Sequence, residues 1–123
     1  MTFKITLDES THVTRIAFDD RLDRSHLLEG VRAARELPGH QYRTLMIVAP
    51  DAVLDLSSDD LRSIARALRG ERPENAPRGL TALVAPTSLA FGLARMVQVF
   101  MEEGPAEVCV FQNEIDATQW LLR

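Results

Sequence analysis

Apolar and polar residues alternate over Phe3, Ile5 and Leu7, stop alternating at Asp8-Glu9-Ser10-Thr11, and resume with Val13, Ile16 and Phe18. Two short period-two segments around a polar turn predict a β-hairpin. The spacing then becomes helical. Leu27, Leu28, Val31 and Ala34 share one face, Asp23 stands where it can cap the first turn, and Pro38-Gly39 supplies a stop after about Leu37. Leu45 to Val48 is an unbroken apolar run before Ala49-Pro50, the pattern of a central strand covered on both faces. Ser57 with Asp60 three residues later resembles a capping box, with Asp where Glu or Gln is usual. Leu61, Ile64, Ala65 and Leu68 continue it as a second amphipathic helix ending at Gly70. Residues 70 to 79 are polar and Pro-rich and predict a surface loop. A strand over Leu80 to Ala85, a helix opened by Pro86-Thr87-Ser88, a strand over Val108 to Phe111 and a final helix capped by Asn113 complete the order ββαβαβαβα.

The helix between Ser88 and Glu103 departs from the pattern of the two amphipathic helices before it. Leu89, Phe91, Leu93, Met96, Val97, Val99, Phe100 and Met101 leave only Arg95, Gln98 and Glu102 as a polar stripe, and Gly104-Pro105 closes the segment. A helix lying on one sheet shows water a polar face, so this one has apolar surface to spare. Three occupants fit: a thick domain core, a second copy of the chain, or a bound apolar molecule. Gly92 sharpens the expectation, because a glycine inside a helix costs about 1 kcal/mol relative to Ala and permits close approach of another backbone or a ligand.

Strand-helix alternation after a hairpin predicts an α/β fold: a mixed sheet of about five strands, antiparallel at the hairpin and parallel beyond it, with four helices. At 123 residues the chain is expected to form one domain over 1–123. A net charge of −4 argues against a nucleic-acid partner, which requires clustered positive charge. The apolar runs are too short for a membrane span. Met1 to Leu7 lacks the basic and apolar segments of a secretion signal, so a cytoplasmic location is expected. The single cysteine, Cys109, excludes an internal disulfide framework.

The segment Ala82-Leu83-Val84-Ala85-Pro86-Thr87-Ser88-Leu89-Ala90-Phe91-Gly92-Leu93-Ala94-Arg95-Met96 resembles the strand, Ala-Pro turn and Gly-containing helix of the SpoIIAA-like proteins, of the STAS/SEC14-type group. The ending from Val110 to Leu121 is similar to that family's strand-to-helix close. The resemblance implies a small mixed-sheet domain, frequent dimerisation and, for most members, no assigned biochemical activity. It also invites one comparison. Anti-sigma-factor antagonists of the group carry Asp-Ser-Ser-Gly at a helix start, with one serine phosphorylated. Asp55-Leu56-Ser57-Ser58-Asp59 departs from that motif by an inserted Leu and a missing Gly, and the following carboxylates would repel a phosphate. Ser57 and Ser58 are thus candidate phosphosites, set against a plain N-cap role for Ser57.

Candidate chemistry is sparse. His12, His26 and His40 are scattered without metal-ligand spacing, and no phosphate-binding glycine loop or serine-nucleophile elbow occurs, so neither metal nor cofactor is expected. An enzyme assembled only by the fold would draw on Ser57, Ser58, His26 or Cys109. Arg62, Arg66 and Arg69 recur on one face of the second helix, followed by Arg72. They complement the helix dipole as a solvated face, or dock an acidic partner or anionic headgroup. The leading expectation is a non-catalytic regulatory or protein-interaction module acting as a homodimer, through a surface drawn from Phe91, Gly92, Met96, Phe100, Met101 and Trp120. The second is a carrier for a lipid-like apolar ligand, with Phe91, Met96, Phe100 and Met101 lining a cavity closed by the 70–79 loop.

Overall fold

The structure is a computed structural model and describes residues 3–40, 43–69, 79–102 and 107–122. The hairpin is β1 (Phe3–Asp8) and β2 (Val13–Phe18), antiparallel with Phe3 opposite Phe18 and Asp8 opposite Val13. Its turn is shaped locally: the Asp8 carboxylate accepts from the Ser10 amide at 2.9 Å, and His12 takes a left-handed backbone at φ 60°. Next come β3 (Arg21–Asp23), α1 (Arg24–Arg35), β4 (Arg43–Val48), β5 (Val53–Asp55) and α2 (Ser58–Arg69). The remainder is β6 (Leu80–Val84), α3 (Ser88–Phe100), β7 (Glu107–Phe111) and α4 (Glu114–Leu122).

Five strands form the main sheet in the order β1-β2-β4-β6-β7, and every pairing after the hairpin is parallel. The α/β class, the mixed sheet and the four helices therefore agree with the sequence pattern. Because the parallel strands advance in one direction, right-handed crossovers deliver each connecting helix to the same face. Leu27 and Val31 of α1, Leu61, Ile64 and Leu68 of α2, and Val97 of α3 meet Ile16, Phe18, Met46 and Leu83 there. The opposite face is covered by α4, whose Ala117 and Leu121 pack on Val13, Leu45, Ala82 and Val84. Leu45 and Met46 of β4 thus bury against different layers, as a central strand requires.

Two elements were invisible in the apolar pattern. β3 and β5 form their own parallel pair, Arg21 opposite Val53 and Asp23 opposite Asp55, and an ion pair joins Arg21 to Asp55. They resume the β2–β4 pairing after a kink: the Ala49 amide donates to the Phe18 carbonyl at 2.9 Å, and the Val53 amide to the Asp20 carbonyl at 2.7 Å. Asp20 takes φ 61° at the kink. Three-residue strands are too short to display a period of two.

The caps follow the sequence closely. Asp23 accepts from the His26 amide at 3.0 Å, Thr87 from the Ala90 amide at 3.2 Å, and Asn113 from the Asp116 amide at 2.9 Å. Each satisfies a donor that has no partner inside its helix. The expected stops at Gly70 and Gly104-Pro105, and residues 70–78 of the expected loop, lie outside the described residues.

Candidate functional site

The α3 helix sets the question. Ala90 and Val97 are buried in the core, with Leu93 and Ala94 packed beside them. The opposite side carries Leu89, Gly92 and Val99, which share one face, with Met96 half-buried at its edge and packed against the core. Leu89 is 63% exposed and Val99 55% exposed, so each leaves more apolar area in water than a helix packed only on its own sheet needs to. Arg95 is the charged neighbour of this face.

The expected surface set divides once folded. Gly92 is exposed on the outer face, while Phe91, Met96 and Phe100 are half-buried on α3. Met101 is not on the surface: it caps α3 and is 2% exposed in the core, because its position seven residues after Ala94 and four after Val97 puts it on the inward face. Trp120 is on α4, across the sheet from α3, against Phe111 at a ring-centroid distance of 5.9 Å. One continuous patch cannot therefore combine α3 with Trp120. Leu89 and Val99 belong to the exposed set instead; their signal was the phase of the helix, opposite Ala90 and Val97.

An apolar cavity lies between α2, α3 and the strand ends, bounded by Leu22, Leu54, Leu61, Leu93, Ala94 and Val97 among wholly apolar neighbours. The lining expected from sequence, Phe91, Met96, Phe100 and Met101, is absent from it; smaller α3 residues on the inward face take that place. Its volume is about 60 Å³, well under the roughly 150 Å³ at which a dry engineered cavity takes up benzene. The strand order also advances without reversal, so the sheet lacks the switch-point crevice in which doubly wound folds hold ligands.

The remaining candidates are dispersed. The Ser57 hydroxyl accepts from the Asp60 amide at 3.1 Å and Asp60 accepts from the Ser57 amide at 2.9 Å, a reciprocal box that occupies Ser57 as an N-cap. Ser58 is exposed at the start of α2. His26, on α1, has Nδ1 2.9 Å from the Asp23 carboxylate. Cys109, a half-buried free thiol on β7, pairs in register with Ala82 of the layer that α4 covers. His26 and Cys109 thus belong to opposite sides of the sheet and share no site. His40 Nδ1 is 2.8 Å from the hydroxyl of buried Thr14, and burial with the nearby Arg35 charge lowers its pKa. Arg62, Arg66 and Arg69 line one concavity together with Phe100. Among the described residues no cluster of three His, Cys, Asp or Glu side chains has metal-binding geometry, and no helix is long and apolar enough to cross a membrane. No family model, curated protein or solved structure matches the chain.

Proposed function

We propose that this chain is a protein-interaction module of regulatory type that assembles as a homodimer through the outer face of α3. The observation that carries the reading is the outer face of α3, where Leu89 and Val99 are exposed on either side of Gly92 and half-buried Met96 flanks them. A second copy is the favoured occupant for two reasons. Twofold dimers are the commonest oligomers and present one patch to itself, and Gly92 at the middle of this face allows two helices to cross closely. The SpoIIAA-like resemblance of residues 82–96, a proposed kinship, points the same way because dimers are frequent in that family. Leu89→Glu combined with Val99→Glu should convert the dimer to monomer while the melting temperature of the monomer stays unchanged. Ile115→Glu, at an exposed apolar residue of α4, should leave the dimer intact. Retention of the dimer in the double variant would refute this face as the interface.

A second reading is favoured by the wholly apolar lining of the cavity between α2 and α3. It is a carrier of a small apolar ligand, admitted when the two helices separate, since the present volume holds no chain of useful length. Native mass spectrometry after mild purification would then show an apolar adduct. A bare chain mass under those conditions would remove this reading.

A further inference from the structure

The three arginines raised by the sequence meet in a place that their spacing alone does not reveal. Arg62, Arg66 and Arg69 fall at i, i+4 and i+7 on α2, and the last turn of α3 brings Phe100 against them. The four side chains bound an open concavity of about 250 Å³. The Arg62 guanidinium carbon sits over the Phe100 ring, 5.2 Å from its centroid, a cation–π contact. Arg69 Nε is shielded from solvent without a hydrogen-bond partner among the described residues. Neither Arg66 nor Arg69 forms an ion pair among those residues, and the carboxylate beside Arg62 is Asp59, 3.8 Å away with its own side chain 93% exposed. Stabilising the C-terminal end of the α2 dipole accounts for cations in the last turn, Arg66 and Arg69. It does not account for Arg62 one turn earlier, nor for a shared concavity walled by an aromatic ring.

We propose that this concavity binds a phosphate monoester. Three arginines line the one concavity, and a monoester offers three terminal oxygens that each accept strong hydrogen bonds, where a carboxylate offers two. A nucleic-acid backbone is a poorer match, because it needs an extended basic track and the chain carries a net charge of −4. The ester group would leave through the open side of the concavity, so the phosphate could be free in solution or carried on a phosphorylated side chain.

The test is an NMR titration of the full chain, following the arginine Nε–H and Phe100 ring resonances. Two probes separate the sources: inorganic phosphate, and a short peptide bearing one phosphoserine. Saturable shifts confined to Arg62, Arg66, Arg69 and Phe100 are expected with at least one probe. Tighter binding of the peptide would assign a phosphorylated protein as source, and binding of phosphate alone a free anion. Arg66→Glu, at an exposed position, should weaken binding about tenfold or more; Lys4→Glu on β1 should not change it. Unchanged circular dichroism melts would establish that both variants fold. Absence of saturable shifts, persistence of binding in Arg66→Glu, or equal affinity for acetate would each overturn the proposal.

Discussion

Gly30 and Gly92 occupy the interiors of two helices and make opposite demands. A Cβ at Gly30 would stand 2.7 and 2.8 Å from ring atoms of Phe18 and 3.4 Å from Ile16. Phe18 is 1% exposed and packed against Phe3, so its ring would have to shift within the core to admit the methyl group. Gly30→Ala gains about 1 kcal/mol of helix propensity, but overpacking a filled core typically costs about 1–3 kcal/mol. The expected result is a net loss of stability, read as a lower urea midpoint. A Cβ at Gly92 would meet nothing within 4 Å. In the isolated chain Gly92→Ala should therefore raise stability by about 1 kcal/mol. If two copies cross at Gly92, the same methyl group should weaken their association. Measuring the melt and the dissociation constant on one variant separates these effects; a variant less stable as a monomer would contradict the open geometry. Glycine's presence in both helices was legible in the sequence. Which one supports a close internal contact was not, because that depends on the ring of a residue twelve positions away in the chain.

His40 and two carboxylates set the acid side of the stability profile. Burial, then the Arg35 charge, holds His40 below its ordinary value of 6.5. The unfolded chain therefore takes up this proton first, and stability present at neutral pH declines as the pH falls below about 6.5. Asp8, chiefly through the Ser10 side-chain hydrogen bond, and Asp23, chiefly through the His26 amide, are held below 3.8. Their contribution is present above that value and lost beneath it. Urea midpoints should thus fall in two stages on acidification, with His40→Gln abolishing the first. A flat midpoint between neutrality and about pH 5 would contradict the burial of His40.

At the scale of elements, the long apolar periods were readable and the short strands were not. α1 and α2 display one apolar face each, and Ser57, Asp23 and Asn113 announce their helix starts in sequence as they cap them in space. β3 and β5 carry three residues apiece and arise from tertiary pairing, with Asp20 absorbing the kink, so no local signal could disclose them. The α3 helix shows the same division. Its excess of apolar residues was evident, but the sequence assigned Met101 to a surface and Phe91 to a cavity. Only the phase at which α3 meets the sheet turns Met101 inward, leaves Leu89 and Val99 in water, and gives the cavity wall to Leu93, Ala94 and Val97. The arginine series on α2 was legible as a stripe. Its aromatic wall comes from the end of a different helix, at Phe100.

For the whole molecule, the steady strand order β1-β2-β4-β6-β7 has consequences beyond topology. It gathers α1, α2 and α3 on one face and leaves α4 alone on the other, which separates Trp120 from α3. It also omits the crevice at which doubly wound sheets hold cofactors. On the helical layer, α3 leaves Leu89 and Val99 exposed to solvent. The most direct measurement of the proposed homodimer is sedimentation equilibrium of the unmodified chain across the micromolar range. The predicted result is a particle of twice the 13.8 kDa chain mass, dissociating in the Leu89→Glu/Val99→Glu variant. A single-chain mass at every concentration would contradict it.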